Sequence, residues 1–149
     1  MAAQNSATLL GFDYGKKIIG VAVGSTFSGL AEPLTTLQVT HGQPVWEELS
    51  RLIEQWHPGA LILGLPLNMD DSDNDMTRAA RKFGNRLKAR YNLPVHMVDE
   101  RLSSRVARDT LMEAGISPRQ HKRHLDALAA QTILQSYLNE LVRPGASTP

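Results

Sequence analysis

Four carboxylate side chains in this sequence lie next to apolar runs, where an acidic residue is unexpected. Asp13 follows the run LLGF, Asp99 and Glu100 close the run PVHMV, and Asp126 lies inside the stretch LDALAAQTIL. An acid in such surroundings is costly to bury unless a cation meets it. Because Mg²⁺ and Mn²⁺ prefer oxygen ligands, these carboxylates are candidate metal ligands.

Each acid also has an ordinary structural explanation. Asp13 could be a turn aspartate that accepts hydrogen bonds from nearby backbone amides. Asp99 and Glu100 should point to opposite faces of their strand, and the triplet with Arg101 could be a surface ion pair. Asp126 could cap its helix, where the dipole favours an anion. Three acids converging from three elements would instead suit two cations roughly 4 Å apart, which stabilise the entering and leaving oxygens of a phosphoryl displacement.

The hydrophobic pattern predicts the elements that must position these acids. The stretch LLGFDYGKKIIGVAVG predicts a β-hairpin turned at GKK, and residues 30–39 predict a third strand, which Pro33 places at a sheet edge. Helical and strand-like patterns then alternate. They cover residues 45–57 (helix), 60–65 (strand), 79–91 (helix), 94–99 (strand), 103–114 (helix) and about His124 to Leu141 (helix).

This order of elements predicts an α/β fold. Hairpins give antiparallel pairs and crossovers give parallel ones, so we expect a mixed five-stranded sheet flanked by helices, three strands antiparallel and then two parallel. We expect one domain over residues 1–149 with an ordered core of about 8–141. Ligands of such sheets collect at the carboxyl ends of strands, where Asp13 and the pair Asp99 and Glu100 lie.

Composition excludes several classes of protein. The 149 residues include no cysteine, which excludes disulfides and thiolate metal sites and fits a reducing compartment. The start MAAQNSATLL lacks the pattern of a secretory signal, and no apolar run approaches the ~20 residues of a membrane span. We therefore expect a cytoplasmic protein without a membrane partner.

Two other patterns resemble metal-binding motifs but lack the residues that such motifs require. Asp71, Asp73 and Asp75 alternate as in an EF-hand loop, but Met76 occupies the required glycine position and Lys82 the position of the closing glutamate. The histidines at 41, 57 and 96 are scattered, and lone histidines are more often structural than ligands. We expect the aspartate-rich loop to be solvated, with a helix cap near Asp75.

Four segments in order resemble the hallmark segments of the YqgF family. They read FDYGKKIIGVAVG, ILGLPLNMD, VDERLSS and LDALAAQTIL, within a match from about residue 9 to 141. Members of this family are RuvC-like nucleases of the ribonuclease H fold, implicated in maturing the 5′ end of pre-16S ribosomal RNA and proposed as Holliday-junction resolvases. Several matched segments are far more specific than any one alone.

The resemblance implies a ribonuclease H-like fold and selects Asp13, Glu100 and Asp126 as catalytic acids that hold Mg²⁺ or Mn²⁺, as two ions. It leaves Asp99 outside the site. The RuvC resolvases carry a second acid three residues after the helix aspartate, where this chain has Ala129. That departure weakens the inference of junction resolution.

Basic residues indicate the class of substrate. Residues 77–91 (TRAARKFGNRLKARY) contain six Lys or Arg and no acid, and the cluster RQHKRH at 119–124 precedes Asp126. Phosphate backbones attract such patches, although a charged helix can equally be a solvated face. His121 or His124 could supply a general acid. The predicted nucleic-acid contacts are Lys16, Arg81, Lys82, Arg101, Arg119, Lys122 and Arg123.

The leading hypothesis is a metal-dependent endonuclease of structured nucleic acid, with pre-16S rRNA or branched DNA as its partner. A DNA junction resolvase is the first alternative, and it would require a homodimer because a two-fold junction needs two active sites; otherwise the chain could act as a monomer. The Asp-x-Gly hairpin also resembles the phosphate loop of actin-like ATPases and sugar kinases. A nucleic-acid-binding factor without turnover is a third possibility.

Overall fold

The computed structural model describes residues 7–68, 70, 72–99 and 118–142, with residues 118–125 and 142 described by their backbone alone. Within these residues the chain forms six strands and three helices. They are β1 (Thr8–Asp13), β2 (Ile18–Ser25), β3 (Leu30–Thr40), β4 (Gln43–Pro44), α1 (Trp46–Trp56), β5 (Ala60–Leu65), α2 (Asp75–Tyr91), β6 (Val95–Asp99) and α3 (Pro118–Val142).

The strands form one mixed sheet in the order β4-β3-β2-β1-β5-β6. The first three strands meander antiparallel, β5 joins β1 in parallel, and β6 joins β5 in parallel. This confirms the predicted α/β class and the predicted mixture of strand directions. Since parallel strands end at the same edge, the carboxyl ends of β1, β5 and β6 lie together.

The predicted strand count of five was wrong by one, because the short strand β4 pairs with the end of β3. His41 and Gly42 form the tight turn between them, both with left-handed backbone (φ 55° and 77°), as two-residue hairpin turns require. The Tyr14 hydroxyl donates a hydrogen bond of 2.9 Å to the Gly42 carbonyl and fixes this hairpin above β1. Pro33 lies on a part of β3 that β4 leaves uncovered, as its missing N–H predicts.

Alternation along the strands divides the core between the two faces of the sheet. On β1, Leu10 and Phe12 pack with residues of α1 and α2, such as Leu49 and Phe83. Leu9 packs on the other face with α3, in a cluster of the apolar residues Ala22, Ala31, Ala60, Ile62, Ala130, Ile133, Leu134 and Leu138. Because successive side chains alternate, the face that carries Leu9 also carries Asp13.

Helix α3 is tied to the edge strand β3 by two glutamines. Gln131 donates a hydrogen bond of 2.9 Å to the Ala31 carbonyl, and the Ala31 N–H donates one of 2.9 Å to Gln135. Gln135 also donates to the Gly29 carbonyl at 2.8 Å. These amides satisfy backbone groups at the end of β3 that β4 does not cover, and they fix the position of α3 along the sheet.

Removal of these side-chain amides should weaken the packing of α3 on the sheet and so destabilise the fold. We expect Gln135→Ala to lower the free energy of unfolding by roughly 1–3 kcal/mol, because it leaves the N–H of the buried Ala31 without its acceptor, and Gln131→Ala by about 1 kcal/mol. Urea unfolding measures both. Asn139→Ala on the same helix is the control, since Asn139 is exposed and bonds only to Gln135 among the described residues. Equal losses in all three variants would contradict the role of the edge contacts.

The last helix begins at Pro118, six residues before the predicted start. The predicted start rested on apolar spacing, and residues 118–124 (PRQHKRH) contain no apolar period, although proline is well tolerated in a first helical turn.

The helix predicted over 103–114 lies outside the described residues. In the part of the chain that is described, no helix combines the length and apolarity needed to cross a membrane.

Candidate active site

Asp13 ends β1 at the carboxyl edge of the sheet. Its backbone partner in β2 is Gly20, and its side chain is half-buried on the face that α3 covers. Directly opposed residues of antiparallel strands have Cα atoms about 4.5–5.5 Å apart. Whatever packs against Gly20 therefore lies beside Asp13.

Asp126 is brought to Gly20 by helix α3. An ideal Cβ built on Gly20 would lie 1.8 Å from the Asp126 carbonyl oxygen and 3.1 Å from the Ala127 amide nitrogen, so helix backbone meets strand backbone at this point. The Asp126 side chain is half-buried. Two acids separated by more than 100 residues in sequence thus come from adjoining backbone segments.

The alternative of Asp126 as a helix cap is wrong. The helix begins at Pro118, eight residues earlier, and its first turn contains no acid. The effect of the helix dipole falls off within the first turn. The position of Asp126 therefore needs another explanation, and its approach to the strand pair at Asp13 provides one.

Asp99 lies on the face of β6 opposite to α3. Met97, two residues earlier, has its methyl group 2.8 Å from an ideal Cβ on Gly84 of α2, whereas the His96 ring stacks on Tyr137 of α3 at 5.4 Å. Alternation then assigns Asp99 to the side of Met97. That Asp99 lies outside the site stays a prediction. The third predicted acid, Glu100, lies outside the described residues, as does Arg101.

The donor set at this edge fits a hard cation as far as it is described. Asp13 and Asp126 offer carboxylate oxygens, the ligand type that Mg²⁺ and Mn²⁺ prefer. Within residues 7–68, 70, 72–99 and 118–142, no group of three or more metal-binding side chains assembles. Asp13 and Asp126 are therefore the candidate ligands among the described residues.

The aspartate-rich loop before α2 is held by its own hydrogen bonds. The Ser72 hydroxyl and amide donate to Asp70 at 2.5 and 3.0 Å, and these bonds lower the pKa of Asp70 below its usual value. Asn74 caps α2 through a reciprocal pair of bonds with Thr77, which matches the predicted cap near Asp75.

Several basic residues of α2 already have partners. Nε and Nη2 of Arg81 each donate a hydrogen bond of 3.2 Å to Asp73, and Arg78 pairs with Asp75. The Arg90 guanidinium stacks 4.2 Å above the Trp46 ring. Lys82 is exposed and forms no ion pair with a described residue. Acids outside the run 77–91 thus partly neutralise a helix that looks uniformly basic in sequence.

The remaining predicted contacts fall in two places. Lys16 is exposed in the turn that follows Asp13, at the candidate site. Arg119, Lys122 and Arg123 lie on the first turns of α3, before Asp126, and their side chains are outside the described set. The basic cluster therefore precedes Asp126 on one continuous helix.

Sequence reasoning missed Gly20 as a residue of the site. It was included in the predicted hairpin strand, although a glycine inside an apolar strand often marks close approach of another backbone. The neighbouring sequence IIGVAVG contains two such glycines. Their spacing does not reveal which one meets an acid.

Comparison with known proteins identifies relatives over almost the whole chain. Residues 7–140 match a family model described as "RuvX: Holliday junction resolvase". A protein of Nitrosococcus oceani is 50% identical over 133 residues, covering 89% of this chain and 86% of the relative. One of Methylobacillus flagellatus is 46% identical over 140 residues, covering 94% and 96%. Both bear the name "Putative pre-16S rRNA nuclease".

Solved structures with this fold include two resolvases bound to Holliday junction DNA. The fowlpox virus enzyme superposes with a TM-score of 0.59 at 12% identity, covering 91% of this chain and 99% of the viral one. Thermus thermophilus RuvC superposes with a TM-score of 0.52 at 17% identity, covering 95% and 98%. These likenesses confirm the predicted ribonuclease H-like fold.

Proposed function

The chain belongs to the RuvX family, also written YqgF, and on that premise we propose that it is a metal-dependent endonuclease that processes pre-16S ribosomal RNA. Its relatives at 50% and 46% identity are named for that activity. Family membership favours a nuclease over the ATP-binding module and over a binding factor without turnover. A cytoplasmic location and a single nuclease domain over residues 1–149 belong to the same proposal.

The observation that carries the proposal is the approach of Asp126 to the strand pair formed by Asp13 and Gly20. It supports a site in which Asp13 and Asp126 hold Mg²⁺ or Mn²⁺, with Glu100 as the third ligand and two ions in all. Bound there, the cations would activate water and stabilise charge on the phosphoryl oxygens. The two carboxylates would hold the ions at the sheet edge, and both side chains are half-buried.

Basic residues near this edge are proposed to hold the phosphate backbone. Lys16 lies three residues after Asp13, and the cluster of Arg119, Lys122 and Arg123 precedes Asp126 on α3. Lys82, Arg81 and Arg101 complete the proposed contacts. Such residues contact phosphate without reading bases, so they position the substrate and give salt-dependent affinity.

RNA is favoured over DNA by the names of the relatives, whereas the description of the family model favours Holliday junctions. To decide between them, the purified chain is incubated with Mn²⁺ and either 5′-extended 16S precursor RNA or a four-way DNA junction, at equal substrate concentrations. We expect cleavage of the RNA. Symmetric cleavage of the junction by a dimer, with the RNA left intact, would replace this proposal by the resolvase alternative.

The salt dependence of RNA binding tests the α2 surface. We expect Lys82→Ala to reduce the slope of log affinity against log salt by about 1, because one phosphate contact is lost. Arg81→Ala should change the slope less, since Asp73 already neutralises Arg81. Arg51→Ala on α1 is the control, because Arg51 pairs with Glu47 at 3.0 Å. An unchanged slope for Lys82→Ala would show that this helix face is only solvated.

A further inference from the structure

Three glycines lie on the sheet face beneath α3, and they meet the helix in different ways. At Gly11 an added Cβ would lie 2.8 Å from the Leu134 side chain and 3.3 Å from the Ala130 carbonyl oxygen. At Gly24 it would lie 3.0 Å from both the Leu134 side chain and the Leu30 carbonyl oxygen of β3. At Gly20 it would instead contact helix backbone, with the Asp126 carbonyl oxygen at 1.8 Å and its carbon at 2.4 Å. Of these three contacts, the one at Gly20 is the closest approach of helix backbone to the sheet.

The approach at Gly20 leaves no room for a side chain. Real Cβ atoms essentially never come within 3.0 Å of another heavy atom, so the Asp126 oxygen would have to retreat by at least 1.2 Å. A leucine side chain can rotate away from an added methyl group, but a helical carbonyl moves only with its helix. Gln131 and Gln135 hold that helix to β3 one to three turns further on.

We infer that Gly20 is a positioning residue for the acid pair: its missing side chain sets the distance between Asp126 and Asp13. Gly20 is the backbone partner of Asp13 in β2, so the contact that admits the helix is adjacent to the acid that the helix must meet. The inference rests on the proposed function, because the distance matters only if the two carboxylates share cations.

The test compares Gly20→Ala with Gly24→Ala in the full chain. Both add one methyl group to β2 beneath α3, but only the first displaces Asp126. The rise in Tm on addition of Mn²⁺ reports cation binding independently of cleavage. We expect Gly20→Ala to unfold cooperatively, to lose most of that rise, and to cleave ~100-fold more slowly, as a displacement of about 1 Å can cause. Gly24→Ala should keep the wild-type rise in Tm.

A compensating substitution separates positioning from general destabilisation. Asp126→Glu lengthens the side chain by about one carbon–carbon bond, ~1.5 Å, which is close to the required retreat of the helix. We expect Gly20→Ala/Asp126→Glu to regain part of the Mn²⁺-induced rise in Tm, although Asp126→Glu alone lowers it. A substitution at Asp126 that lowers the Mn²⁺-induced rise in the wild-type background and raises it in the Gly20→Ala background shows that the two positions are coupled.

Three results would overturn the inference. Gly20→Ala could keep the full Mn²⁺-induced rise, or it could fail to unfold cooperatively while Gly24→Ala folds, which would make the glycine a requirement of the fold alone. The rise could also stay lost in the double variant. If the wild-type chain shows neither a Mn²⁺-induced rise nor Mn²⁺-dependent cleavage, the proposed function fails first, and the positioning role falls with it.

Discussion

Asp13→Asn is expected to abolish cleavage while leaving the fold intact. Cation stabilisation of the transferring phosphoryl group supplies several kcal/mol, so loss of a ligand should lower turnover by on the order of 10³-fold or more. Asp13 and Asp126 carry like charges and come from adjoining backbone segments. Removing one charge should therefore preserve or raise the free energy of unfolding of the metal-free chain. The Mn²⁺-dependent rise in Tm should shrink at the same time.

Asp70→Asn is the matched control for this variant. Asp70 is also an aspartate that follows a strand of the same sheet, but it is exposed and bonded to Ser72. It should cleave at the wild-type rate and keep the response to Mn²⁺. An Asp13→Asn chain that cuts RNA as fast as wild type would remove Asp13 from the catalytic ligands and with it the proposed site.

Glu100→Gln is expected to have an effect of similar size, and Asp99→Asn a small one. Glutamine keeps the size of glutamate but removes the charge that the cations require, so turnover should fall by orders of magnitude. Asp99 lies on the α2 side of β6, opposite to α3. Its replacement should cost mainly stability, on the order of 1 kcal/mol for one lost hydrogen bond or cap.

The two variants are compared by Tm and by cleavage at saturating Mn²⁺. Asp99 and Glu100 are adjacent acids in the sequence, so each variant is the control for the other. The reverse result, with Asp99→Asn inactive and Glu100→Gln active, would show that Asp99 and not Glu100 serves the site. If both Asp99→Asn and Glu100→Gln cleave at the wild-type rate, neither residue is a metal ligand, and only Asp13 and Asp126 remain as candidates.

The elements with strong local patterns could be predicted from sequence. The apolar run ALILGL between Gly59 and Pro66 forms β5 at the predicted residues, and the spacing of Trp46, Leu49 and Leu52 predicts α1 to within one residue. Hydrophobic burial determines both, and its period is visible in the residues themselves. The ribonuclease H-like fold was predicted on a different basis, the resemblance of four segments to those of a known family.

Elements held by backbone bonding alone were missed. Strand β4 has two residues, Gln43 and Pro44, and its pairing with β3 leaves no alternation to detect. The first turns of α3 carry polar side chains without apolar spacing, so the helix was predicted to begin at His124. That error in turn made Asp126 look like a first-turn residue and kept the capping alternative open.

The sequence by itself determined which side chains this protein could use and which face of each strand they occupy. Alternation along β1 separates Asp13 from Phe12, and alternation along β6 separates Asp99 from Val98. Only the tertiary structure decided which acids meet. The approach of Asp126 depends on the register of β1 with β2 and on a helix backbone packed directly on Gly20. Long-range register and close packing are properties of pairs of segments, so no local period in either segment records them.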